Sequence, residues 1–179
     1  LGGWAELDRL ASLAASGRLP TRTGDGGKLA AFAAKEVCFV PCAPHEWLFP
    51  RCCCVIHHGG IGTTHACLRA GKPSVITPVC ADQFVNSESI NKLKVGVGFS
   101  DSLPNLQTGD ITRAVRVATG DAILQLQVEM IGRKLRREEA NAVSRGAEMI
   151  DGFLRGRIKA KNGQWVRLKP AAKRAAAKA

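Results

Sequence analysis

One stretch limits what this chain can fold into more than any other: Val55-Ile56-His57-His58-Gly59-Gly60-Ile61-Gly62-Thr63-Thr64-His65. An apolar run suited to a buried strand passes into a glycine-rich turn and then into a segment suited to a helix. The expected strand is Cys52–His57 and the expected helix Thr63–Ala70, which Gly71 stops and Pro73 keeps from continuing. Gly59, Gly60 and Gly62 let backbone amides approach a ligand closely, and a helix start offers N–H groups and the positive end of its dipole. Thr63 and Thr64 add hydroxyls, and His57, at the carboxyl end of the strand, can donate to a phosphate oxygen. The loop is therefore either an anion site or a tight turn whose glycines only serve packing, and the residues alone divide evenly between the two. It is not a dinucleotide fingerprint, because His65 stands where the third small residue belongs; without Gly-Lys-Ser/Thr it is not a Walker loop.

The remaining pattern alternates strands and helices. Residues 4–16 carry Leu7, Leu10, Leu13 and Ala14 at helical spacing. Gly17–Lys28 reads as a loop, Val37–Pro41 as a short buried strand, and Glu46–Phe49 as one helical turn. Ser74–Val79 and Gly96–Phe99 read as strands flanking a helix over Gln83–Lys92. Thr108 or Asp110 caps a helix running to about Thr119, and Asp121 starts a longer one that breaks near Glu139 and ends near Leu154. Such alternation with short Gly or Pro turns predicts an α/β fold around a parallel sheet, in which ligands bind at the carboxyl ends of the strands.

Charge divides the 179 residues in two. Residues 155–179 hold nine Lys or Arg and no acid, which leaves 17 basic and 15 acidic residues in 1–154. Nine of the eleven net positive charges therefore belong to an Ala/Lys-rich tail, and the excess does not mark the nearly neutral globular part as a nucleic-acid binder. With Trp165 as its lone aromatic, the tail lacks the interleaved rings that stack on bases, so no specific nucleic acid is expected. The expected organisation is a domain over 1–154 and a solvated tail over 155–179. No apolar run reaches the roughly 18 residues of a membrane-spanning helix. The seven cysteines read as buried free thiols of a reducing compartment, so a cytoplasmic location is expected; Cys38, Cys42 and the Cys52–54 run fit no common zinc spacing. Leu1-Gly2-Gly3-Trp4 carries neither Met nor a signal pattern, so a fragment of a longer chain is expected.

Four blocks in order carry a resemblance. They are Pro44-His45-Glu46-Trp47-Leu48-Phe49-Pro50-Arg51, then His57 to Thr64, then Leu68-Arg69-Ala70-Gly71-Lys72-Pro73, then Pro78 to Ala81-Asp82-Gln83. Together they resemble the donor-binding region of the UDP-dependent glycosyltransferases, above all the sterol 3-β-glucosyltransferase branch. The similarity is strong over 37–99 and weaker to about Ile150.

The resemblance implies two Rossmann-like domains facing across a cleft, with this chain as most of the C-terminal, donor-binding one and lacking its first strand. It implies transfer of glucose from UDP-glucose to a sterol or other lipid hydroxyl with inversion. By the family pattern His57 contacts the diphosphate, aided by Gly59, Gly60, Gly62, Thr63 and Thr64, and Asp82 and Gln83 read the sugar. Asp82 equally suits a helix N-cap. Cys42 stands where plant members carry a Trp that stacks on uracil, so the uridine contact is assigned near Ala43 and His45. The catalytic base belongs to an acceptor domain outside this chain, so no catalytic residue is expected here. Neither a cofactor nor a metal is expected, and the partners implied are a UDP-sugar, the lipid acceptor and an anionic membrane surface for the tail. Two alternatives are a nucleotide-sugar-binding module without turnover, and a tail-driven binder of anionic surfaces or nucleic acid.

Overall fold

In the computed structural model, residues 5–18, 26–40, 42–161 and 164–167 are described, and they fall into two compact units, Leu1–Cys52 and Cys53–Ala179. In the first unit, helices α1 (Ala5–Ala15) and α2 (Gly26–Glu36) pack on each other through small residues, with Ala14, Ala30 and Ala33 buried. Helix α2 was not expected. Its Leu29, Ala30 and Ala33 have helical spacing, but the glycines at its start pointed to a loop. The single helical turn expected over Glu46–Phe49 forms as α3 (His45–Leu48), and it continues into a 3-10 turn over Phe49–Arg51 that was not expected.

The strand expected over Val37–Pro41 does not form in its described part. Val37, Phe39 and Val40 are exposed, and the Val37 amide bonds back to Ala33 as a last helical turn. An apolar run becomes a strand only against a ladder partner, and the first unit has no strand among its described residues.

The second unit is a βαβαβ succession: β1 (Val55–His57), α4 (Ile61–Ala70), β2 (Ser74–Ile76), α5 (Gln83–Leu93) and β3 (Gly96–Gly98). The strands are parallel in the order β1-β2-β3, with Ile56 opposite Val75 and Val75 opposite Val97. Strand β2 lies in the middle and is buried along its whole length. Its residues alternate between faces, so one short strand organises two cores. Ile76 packs with Ile90, Val95 and Val128 on one side, and Val75 with Ala114 and Ala118 on the other. Strand β1 is an edge, shorter than expected and half exposed at Ile56, because among the described residues only one of its sides finds a partner.

Three helices complete the layers. Helix α6 (Thr108–Gly120) starts with a capping box between Gln107 and Asp110, so Gln107 is the cap residue. Asp121 caps α7 (Ala122–Glu139) by accepting from the amides of Ile123 and Leu124 at 2.9 and 3.1 Å. Helix α8 (Ala142–Leu154) follows the expected break. Helices α4 and α7 approach closely at Gly132, where a Cβ would stand 2.8 Å from Leu68 O.

The expected solvated tail differs from what forms. Strands β4 (Ile158–Lys161) and β5 (Gln164–Arg167) pair antiparallel, Trp165 meets Phe153 edge-on at 5.6 Å, and Gly152 lets Ile158 lie against α8. Asn162-Gly163 in the sequence is the hairpin signal that the charge pattern masked. Residues 168–179 lie outside the described residues.

Candidate functional site

The glycine turn runs from the carboxyl end of β1 into α4. Its three glycines have different reasons to be there. Gly59 adopts φ +94°, and a Cβ on it would lie 2.6 Å from Ile76 Cγ2 and 3.2 Å from the Gln83 carbonyl oxygen. It is a packing glycine in a conformation that side chains avoid. A Cβ on Gly60 would meet the His58 ring at 2.6 Å. Gly62 has nothing within 4 Å of its Cβ position and is exposed. The packing reading of the loop therefore applies at Gly59, while Gly62 has no packing neighbour that requires a glycine.

The first helical hydrogen bond of α4 runs from the Thr64 amide to Gly60 O at 3.0 Å. The amides of Ile61, Gly62 and Thr63 precede that bond, and no side chain among the described residues caps them. They form the open end of a ten-residue helix, where the dipole favours an anion.

Two of the expected phosphate ligands are committed to the fold. Thr64 is buried and its hydroxyl donates to Gly60 O at 3.0 Å, so it does not serve as an outward donor. Thr63 is partly exposed. His57 uses both ring nitrogens. The Gly59 amide donates to Nδ1 at 3.1 Å, which leaves the neutral ring's proton on Nε2, facing Ser74 Oγ at 3.1 Å. His57 thus holds the turn in place and reaches a phosphate only by leaving Ser74. His58 is partly buried beside Gly60, and His65 is exposed on α4.

The neighbouring turn, from β2 into α5, presents the expected sugar pair. Asp82 occupies the N-cap position of α5 without a side-chain cap bond, and it is exposed. The cap role open in the sequence is therefore not taken. Gln83 is spent largely on its own turn: Oε1 accepts from the amides of Val79 and Cys80 at 2.7 and 3.1 Å. Ala81 sits between them at φ +55°.

Asn86 is the residue the sequence reading missed. Its Nδ2 donates to Gly59 O at 2.9 Å and to Asp82 Oδ2 at 3.3 Å. Both neighbours can only accept, so the amide orientation follows from chemistry. A continuous chain results: Ser74, His57, Gly59, Asn86, Asp82. The available signal was spacing, since Asn86 stands one helical turn after Asp82.

Ala43 and His45 belong to the first unit, where Ala43 is partly buried and the exposed His45 ring stacks on Phe49 at 4.3 Å. Cysteine burial departs from expectation: Cys67 is buried, whereas Cys38, Cys42, Cys53 and Cys80 are exposed. Among the described residues, no three His, Cys, Asp or Glu gather as metal ligands, and no helix is long and apolar enough to cross a membrane.

The family model described as erythromycin biosynthesis protein CIII-like, C-terminal domain, matches residues 24–150. A sterol 3-beta-glucosyltransferase of Debaryomyces hansenii is 38% identical over 107 residues, 60% of this chain and 6% of that protein. One from Saccharomyces cerevisiae is 38% identical over 54% of the chain and 8% of its own length. One from Leptosphaeria maculans is 33% identical over 72% of the chain and 8% of its own length. The chain thus matches less than a tenth of each of these relatives. Among solved structures, the glycotransferase of kitacinnamycin superposes with a TM-score of 0.50 at 22% identity, over 58% of this chain and 28% of that one, and so shares the α/β fold.

Proposed function

The chain belongs to the erythromycin biosynthesis protein CIII-like C-terminal domain family, and on that premise we propose that it is the donor-binding part of a glycosyltransferase, holding UDP-glucose for transfer to a sterol or other lipid hydroxyl. The observation that carries this reading is the open start of α4. The amides of Ile61, Gly62 and Thr63 have no partner among the described residues, the Cβ position of Gly62 is clear, and the adjoining turn is held by the Gly59 amide's bond to His57. A diphosphate fits such a place by charge and by hydrogen-bond need.

In the proposed reaction the acceptor hydroxyl displaces UDP at the anomeric carbon with inversion. Negative charge grows on the departing diphosphate, and amides already aimed at it stabilise that charge without reorganising. Asp82, exposed at the neighbouring turn, accepts hydrogen bonds from sugar hydroxyls. No divalent ion is required in this scheme. The names of the sterol 3-beta-glucosyltransferases support glucose and a sterol as the two substrates. The basic residues 155–179 suit a cytoplasmic enzyme meeting an anionic bilayer, at about 1 kcal/mol per charge near the surface.

Calorimetric titration with UDP and UDP-glucose tests the reading. Both should bind, and His57→Ala should weaken both by about 1–3 kcal/mol, the scale of leaving the Gly59 amide that it holds without a partner. A chain that takes up neither ligand rejects the proposal.

A further inference from the structure

We infer that Asn86 is a positioning residue that couples the diphosphate turn to the sugar-reading carboxylate. The inference rests on the donor reading above and deepens it. Asn86 touches no expected ligand atom. Its amide nitrogen has two hydrogens, and each has a destination: Gly59 O at 2.9 Å and Asp82 Oδ2 at 3.3 Å. Gly59 is in turn tied through its own amide to His57 Nδ1, and His57 to Ser74 on the central strand.

The geometry has a chemical consequence. An exposed carboxylate at a helix start can adopt several rotamers, and a sugar would have to select one. The Asn86 donor selects a rotamer in advance and leaves the other carboxylate oxygen for the ligand. Because the same nitrogen grips Gly59 O, one side chain bridges the diphosphate and sugar subsites above the β1–β2 ladder. Positioning of this kind raises affinity by removing ordering costs from the binding step. Asn86 should therefore matter to UDP-glucose, which spans both subsites, and matter far less to UDP, which fills one.

The test is a double-mutant cycle on the whole 179-residue chain, read by calorimetry as the ratio of UDP-glucose to UDP affinity. Asn86→Ala removes the donor. Asn86→Asp keeps the shape but places a carboxylate oxygen against two acceptors, so it covers the case in which the alanine variant folds poorly; thermal melting checks both. Each should lower the ratio about tenfold, the scale of one charge-assisted hydrogen bond. Asp82→Ala should lower it similarly, and adding Asn86→Ala to Asp82→Ala should lower it no further. An unmoved ratio, equal weakening of both ligands, or multiplicative effects in the double variant would each overturn the coupling while the donor reading stands. A parent chain that binds neither ligand overturns the donor reading, and the coupling with it.

Discussion

Two strand-to-helix turns lie at the same edge of one sheet, and they are built in opposite ways. The turn after β1 rests on glycine: Gly59 and Gly60 bring the chain round, His57 takes the Gly59 amide, and the amides at the start of α4 find no partner among the described residues. The turn after β2 is made of side chains: Gln83 closes it by accepting two amides, while Ala81 bears a left-handed conformation without being a glycine. The first turn leaves amides at its helix start unpaired among the described residues, and the second spends the amides of Val79 and Cys80 on Gln83, beside the exposed Asp82 carboxylate. A diphosphate needs donors and a sugar needs acceptors, so each construction suits the group proposed for it.

The largest expected effect breaks the first turn. Gly59→Ala puts a Cβ against Ile76 in a backbone region that costs alanine energy, and it should destabilise the chain by about 2–4 kcal/mol. Gly62→Ala, in open space at a helix start, should change stability by less than about 0.5 kcal/mol yet weaken UDP binding by filling the approach. Urea denaturation and calorimetry read the pair; equal stabilities would erase the distinction between the two glycines.

A smaller effect is expected at the second turn. Gln83→Ala frees the amides of Val79 and Cys80 and should cost about 1 kcal/mol in urea denaturation. Loss of UDP-glucose affinity at unchanged stability would instead make Gln83 a sugar reader before a turn former. Smaller still, Ala81→Gly should stabilise by about 0.5–1 kcal/mol, since glycine takes φ +55° without steric cost. A destabilised Ala81→Gly variant would show that this turn is not strained.

The smallest expected effect leaves the comparison untouched and serves as its control. On α7, the hydrogen bond and charge of Arg133, 2.6 Å away, hold the Glu129 carboxyl below its usual range. A carboxyl lowered by folding stabilises the chain above its unfolded value, and that contribution fades as acidification carries the pH down through the folded value. The pair is half exposed, so the effect should be barely measurable and vanish in high salt. Acid titration of Glu129→Gln beside the parent checks it, and a large difference would contradict the exposure.

The sequence by itself determined the parts whose causes are local. Periodicity and breakers placed α4, α5 and the α7–α8 break, since Gly71 takes the left-handed cap and Asp121 its capping bonds as those residue types predict. The glycine turn was also visible, because glycine has few other reasons to cluster between a strand and a helix. Where a cause lay elsewhere in the chain, tertiary structure decided. Val37–Val40 has the apolar composition of a strand and lacks a ladder partner, and the hairpin over 158–167 was hidden behind its charge. Local pattern could not separate Gly59 from Gly62, because the difference is the proximity of Ile76 and Gln83. Spacing puts Asn86 one helical turn after Asp82, but local pattern could not supply its other partner, a carbonyl 27 residues away. Such a contact forms when packing against β2 brings α5 beside the turn after β1, and side-chain reach across that packing is a property of the assembled core.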